Sequence, residues 1–316
     1  MAVDVANIAA EVDDELRSRS TPERAEQERR YLKSELEHYG VTVPAIRSVA
    51  KTVRRQYAAL GHDDFVSLVG ALWAAPVHER RMMTVELLVL YADLLRPDDL
   101  QLLECLLRES RTWALVDGLA SSVVGGLIER HPTSAAILDR WATDDDFWIR
   151  RSALLALLNA LRRGEGDFTR FSRYADAMLD EKEFFIRKAI GWVLRDTARK
   201  RPDMVYDWLL PRVARASGVT LREAINRCRT NSARRCSPPV EVALYMLASR
   251  SFAALTAARN SPSSPDAGEL RTTRLAPVSS RRRSLEGSAS NCTVSSIDEV
   301  SHPPCTASVR ATSIRR

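Results

Sequence analysis

At 316 residues the chain has room for one large domain or two ordinary ones. No apolar run approaches the ~20 residues that would span a bilayer, and the acidic start MAVDVANIAAEVDDELRS lacks the basic-then-apolar layout of a secretory signal. The net charge of +6 comes from the end of the chain: thirteen arginines against six acids from Arg229 onward leave residues 1–228 with 34 bases and 35 acids, so bulk basicity says nothing about the folded part.

In chain order, residues 1–228 read as helices throughout, with apolar positions at three- and four-residue spacing and no sustained strict alternation. Short breaks separate them: Thr21-Pro22, Gly40 with Pro44, Gly61, Pro76, Arg96-Pro97, His131-Pro132, Gly164 with Gly166, Arg201-Pro202 and Gly218. Several place proline at a first helical position, where its missing N–H costs nothing. The breaks recur. Pro97 to Pro132 is 35 residues and Pro132 to Pro202 is 70, with the missing middle member falling at Asp167.

The helical text recurs as well. DDDFWIRRSALLALL (144–158) overlays EKEFFIRKAIGWVLR (181–195) at an offset of 37 residues, and Arg80-Arg81 precedes Arg150-Arg151 by 70. A stacked two-helix unit of this length predicts an all-α fold, an α-solenoid of HEAT-like two-helix repeats whose second helices line a concave face. The domain expected is 1–228. Residues 229–316 form a Ser/Pro/Arg-rich tail expected to be mostly disordered, with one amphipathic helix near 240–258.

Two stretches carry candidate chemistry. In RTWALVDGLASSVVGGLIER (111–130), Trp113 and Asp117 share a helix face at i, i+4. Trp113 is as well explained as a core indole. Asp117 is less easily absorbed, because aspartate is a poor mid-helix residue and burying it unpaired would cost several kcal/mol. It must meet a cation, bond to backbone at a helix break beside Gly118, or face a cleft.

In DEKEFFIRKAIGWVLRDTARK (180–200), Lys188, Trp192, Arg195 and Arg199 follow one helix face. Arg47, Lys51 and Arg55 do so on an earlier helix, and Arg29, Arg30 and Lys33 flank Tyr31. A single cationic stripe is usually a solvated face. Stripes at equivalent places in a solenoid add up to a track for a phosphate backbone.

A carboxylate with indole faces suits cleavage of a deoxyribose N-glycosidic bond, whose transition state is oxocarbenium-like. The carboxylate stabilises the positive charge and can orient or deprotonate water. A base alkylated on a ring nitrogen is already cationic and leaves without a proton donor, so no second carboxylate is required. The five cysteines are widely spaced with no CxxC pair, and the histidines (His38, His62, His78, His131, His302) are scattered. That spacing argues against a disulfide framework and a zinc site and makes a reduced, cytoplasmic setting the default. No metal and no cofactor is expected.

RRYLKSELEHYGVTVPAIRSVAK, TWALVDGLASSVVGG, DFWIRRSALL, EFFIRKAIGWVLRD and LREAI together resemble the AlkD-type DNA alkylation-repair glycosylases, a HEAT-like repeat family, over roughly residues 5–228. The resemblance implies that Trp113, Trp192 and Asp117 surround the lesion's deoxyribose, that Arg151 holds its phosphate and that Tyr31 lies close by. It also matches Arg195 to a position beside the cleft. The implied activity is that of a monofunctional DNA N-glycosylase. It would remove 3-methyladenine and 7-methylguanine from double-stranded DNA without flipping the base, acting as a monomer in the cytoplasm, nucleoid-associated when bound. The catalytic set expected is therefore Asp117, Trp113 and Trp192, and the DNA-binding set is Arg151, Tyr31, Lys188, Arg195, Arg47 and Lys51. The tail departs from the family. Two rivals stand beside this reading: a non-catalytic solenoid gripping distorted or branched DNA, and a protein-binding HEAT scaffold whose binding would ignore salt.

Overall fold

The computed structural model describes residues 4–225, so the expected tail and the helix near 240–258 lie outside the described residues. Among the described residues there is no β-strand, only an isolated bridge between Glu37 and Val77. The first five helices are α1 (Val5–Ser18), α2 (Pro22–Leu32), α3 (Val43–Gln56), α4 (His62–Trp73) and α5 (His78–Leu90). Next come α6 (Leu100–Ser110), α7 (Trp113–Gly118), a π-helical turn (Leu119–Val124), α8 (Gly125–Arg130), α9 (Ile137–Trp141) and α10 (Phe147–Leu155). The last are α11 (Leu158–Arg163), α12 (Phe168–Ala177), α13 (Phe184–Ala198), α14 (Pro202–Leu209) and α15 (Gly218–Ile225).

The recurring breaks in the sequence are repeat starts. Pro97 and Pro132 each open a 3-10 turn ahead of α6 and α9, and Pro202 is the first residue of α14. At the same register Asp167 stands in for proline by capping α12, accepting the Arg170 N–H at 2.8 Å. The two overlaid segments become α10 and α13, capped alike: Asp146 accepts from the Trp148 N–H and Glu183 from the Phe185 N–H.

Helices α3, α5, α7, α10, α13 and α15 each pack on the next, giving a single layer of second helices. Side-chain bonds staple neighbouring repeats at one period. Arg54 donates to the Leu90 carbonyl 36 residues on, Trp73 to Glu109 36 on, Arg108 to Asp144 36 on, and Arg212 to Asp176 36 back. The fold is an all-α solenoid, and its core is a continuous apolar seam of buried Leu, Val, Ile and Ala between the layers.

One crossing is unusually close. A Cβ added to Gly191 on α13 would lie 2.6 Å from the Thr220 carbonyl oxygen and 2.6 Å from Glu223 Cβ on α15. Gly191→Ala should therefore cost about 1–3 kcal/mol through overpacking, read as a lower melting temperature; an unchanged melt would mean the two helices part without penalty.

Helix α2 is held differently. It buries no side chain. Its anchor is the loop that follows, where Thr21 N–H donates to the Tyr39 carbonyl at 2.8 Å. That loop is fixed in turn by Glu79, fully buried on α5, whose carboxylate accepts the N–H groups of Tyr39, Gly40 and Val41. Gly40 is required there: its φ is +78° and a Cβ would lie 2.2 Å from the Thr21 carbonyl oxygen. No helix among the described residues is long and apolar enough to cross a membrane.

Candidate active site

Helix α7 starts where Thr112 caps it, its Oγ1 accepting the Ala114 N–H at 3.4 Å, and Trp113 is the first helical residue. Asp117 sits one turn later, where the α-helix widens into the π turn Leu119–Val124. That turn is tied down by Ser121, whose hydroxyl donates to the Asp117 carbonyl at 2.6 Å while its own carbonyl accepts from Asn159 at 2.8 Å. π turns of this kind re-aim side chains and recur at functional sites.

Of the three fates open to Asp117, the structure shows the first. Arg151 of α10 grips its carboxylate bidentately, Nε to Oδ1 at 2.8 Å and Nη2 to Oδ2 at 2.9 Å. The remaining nitrogen, Nη1, donates to the Phe185 carbonyl, and the guanidinium lies 5.8 Å from the centre of the Phe185 ring. The Arg151 side chain is 3% exposed and that of Asp117 17%. In this structure Arg151 thus faces a carboxylate and a carbonyl, not outward towards a phosphate. The physical reason is economy of charge: a guanidinium this deeply buried needs a counter-ion, and Asp117 supplies it. Burial pushes the Asp117 carboxyl up from the usual carboxylate range, opposed by Arg151 and then by Lys188.

The pair leaves capacity on the carboxylate. An ionised carboxylate offers about four acceptor sites; Arg151 uses one on each oxygen, so each oxygen can still accept from a water or face a positive centre.

Three partly exposed aromatic groups lie on α2, α7 and α13. Tyr31, on α2 and 74% exposed, meets Trp113 edge-on with ring centroids 6.1 Å apart. Trp192 on α13 is half-buried, and its indole N–H donates to Asp196 Oδ2 at 3.2 Å. Asp196 is buried and also takes Arg162 at 2.8 Å and Arg195 at 3.2 Å.

The cations differ in how free they are. Arg195 is bonded to Asp196 and Glu223, so two carboxylates occupy it. Arg47 pairs with Glu86 at 2.8 Å yet keeps 59% of its side chain exposed. Lys51 and Lys188 are exposed and make no ion pair among the described residues, and Lys188 lies 5.8 Å from the Phe184 ring centre. Arg47 and Lys51 (α3), Trp113 and Asp117 (α7), Arg151 (α10) and Lys188, Trp192 and Arg195 (α13) all belong to the one layer of second helices. Tyr31 contacts Trp113 and Arg151 contacts Asp117, and Trp113 and Asp117 share α7; Arg47 and Lys51 sit two helices away along the layer.

Sequence reasoning missed Asp196, the residue that holds Trp192. A signal was present: Trp192 and Asp196 repeat the four-residue spacing of Trp113 and Asp117. Each aspartate has an arginine partner 34 residues away, Arg162 before Asp196 and Arg151 after Asp117. A cavity of about 730 Å³ is lined by residues including Arg17, Glu26, His38 and Tyr39 and by none of these groups.

Comparison with known proteins agrees with this architecture. The chain resembles a predicted DNA alkylation repair enzyme from Enterococcus faecalis, with 20% identity and a TM-score of 0.61 over 67% of this chain and 98% of that one. It also matches AlkD2 from Streptococcus mutans at 18% identity and a TM-score of 0.43, covering 72% of this chain and 98% of that one. Among curated proteins nothing matches. The family model for the DNA alkylation repair enzyme matches residues 12–228, most of the chain and nearly all of its described part, and so the chain belongs to the DNA alkylation repair enzyme family.

Proposed function

We propose that this protein is a monofunctional DNA N-glycosylase that releases cationic alkylated bases such as 3-methyladenine and 7-methylguanine from duplex DNA, with the base left in the helix. The observation that carries the reading is the Asp117 carboxylate, fixed by Arg151 on the same layer as two partly exposed indoles and exposed lysines. As the N-glycosidic bond lengthens, positive charge grows on the deoxyribose. Asp117 stabilises it as the C–N bonding pair leaves with the base, and a water donating to the free carboxylate site attacks the anomeric carbon and gives its proton to that carboxylate. Trp113 and Trp192 offer ring faces to the same charge. Arg151 and Asp196 are positioning residues: the first holds the carboxylate, the second holds the Trp192 indole.

The cationic base needs no acid, because the neutral form it leaves as is its stable form. A surface-level site on a helical layer reaches the sugar from the backbone side, which is why flipping is not needed. The protein would act as a monomer on double-stranded DNA in the nucleoid.

A second reading draws on one observation. Arginine–aspartate bonds join neighbouring repeats elsewhere in the chain, Arg108–Asp144 and Arg212–Asp176 among them, which makes Arg151–Asp117 one more staple in a protein that grips damaged DNA without releasing a base. Incubating the purified protein with methylated duplex DNA and identifying released bases by mass spectrometry separates the two. Free 3-methyladenine or 7-methylguanine supports the enzyme, and tight salt-sensitive binding with no released base supports the gripping protein.

Lys51 gives an independent check of the phosphate track. Lys51→Ala should make the dependence of log affinity on log salt shallower by about one unit; an unaltered slope would place the duplex elsewhere.

A further inference from the structure

Three side chains from separate parts of the chain meet beside α2. Glu28 comes from α2, His38 from the loop after it and Glu79 from α5, and each offers a ligand atom within 4.8 Å of the others. Each also has capacity left. Glu28 Oε1 pairs with Arg24 at 3.2 Å, while Oε2 is buried with no hydrogen-bond partner. Both ring nitrogens of His38 are buried and unpartnered. Glu79 Oε1 accepts two backbone N–H groups but Oε2 only one, at 2.9 Å from Tyr39 N. The imidazole of His38 stacks on that of His78 at 4.6 Å, and His78, 3% exposed, has an unpartnered Nδ1 of its own.

Buried polar atoms left unpaired are costly, so this collection calls for a partner. Two carboxylates with one imidazole form a donor set of charge −2 that a divalent ion neutralises.

We infer that Glu28, His38 and Glu79 bind one divalent cation of the zinc class, which fastens α2 to the body of the solenoid. Zinc–ligand distances of ~2.0–2.2 Å bring ligand atoms closer than 4.8 Å, so the cluster must contract somewhat on binding. Glu28 can supply that movement, because its helix buries no side chain. Three protein ligands leave a fourth position to water. The consequence reaches the DNA-facing side: Tyr31, edge-on to Trp113, lies three residues beyond Glu28 on the same helix, so the ion would stiffen the element that presents it. The site does not depend on the glycosylase reading.

The test is a calorimetric titration of Zn²⁺ into the chelator-stripped full chain, compared with Glu28→Gln and His38→Gln. The wild-type protein should bind one equivalent more than either variant, while any zinc held by thiols is common to all three. Hydrogen exchange over residues 22–32 should slow on adding zinc to the wild type and not to the variants. Should His38→Gln fail to fold, Glu28→Gln, on a helix with no buried side chain, carries the comparison. Equal stoichiometry in wild type and variant, or no zinc uptake by the wild type, overturns the inference.

Discussion

Asp117→Asn is expected to slow base release by roughly 10³-fold while affinity for undamaged duplex stays within a few-fold. The reason is where the charge acts. On the proposed reading phosphates meet lysines such as Lys51 and Lys188, whereas the Asp117 carboxylate matters when positive charge appears on the sugar. Asparagine keeps the shape and one acceptor oxygen, yet it leaves the Arg151 guanidinium, 3% exposed, without its counter-charge. Breaking one side of a buried pair costs about 3–5 kcal/mol, so the variant should also melt earlier. Binding measured below that melt separates the two effects. Full activity in the variant would end the catalytic assignment, whatever its stability.

Arg151→Gln should have the second-largest effect, and its signature is a shift in pH dependence. Burial pushes the Asp117 carboxyl up, and Arg151 is the leading influence holding it down. Without that cation the carboxyl titrates at still higher pH, so at a fixed pH less of it is ionised. If catalysis needs the carboxylate, the acid limb of the rate profile moves to higher pH, activity at neutral pH falls by roughly 10²-fold, and part of it returns as pH rises. The salt slope of DNA binding should barely change, since the guanidinium is spent on Asp117 and the Phe185 carbonyl. The resemblance alone implies the reverse: the substitution would remove a phosphate-binding group and make the slope shallower by about one. An unmoved acid limb with that shallower slope would restore the phosphate role.

The repeat frame was legible because it rests on local chemistry. Pro97, Pro132 and Pro202 mark helix starts by what proline cannot do, and Asp167 fills the gap in the series because aspartate caps a helix. The overlay of residues 144–158 on 181–195 became α10 and α13 for the same reason. Tertiary pairing was not legible. Nothing beside Arg151 says that its partner lies 34 residues earlier, and nothing around Glu79 says that three backbone N–H groups from residues 39–41 will close on it. The π turn after Asp117 has no local signature of its own. Asp196 stands between these cases: its spacing from Trp192 was readable, but only its partners give it a role.

The most direct test compares two duplexes, one carrying a single 7-methylguanine and the other its 7-deaza analogue with the same methyl group and no positive charge, in single-turnover excision. A carboxylate and indoles acting without a general acid should release the cationic base and leave the neutral one attached. Release of both at similar rates would reveal a proton donor beyond Asp117 and the indoles, and release of neither would leave a DNA-binding solenoid in place of an enzyme.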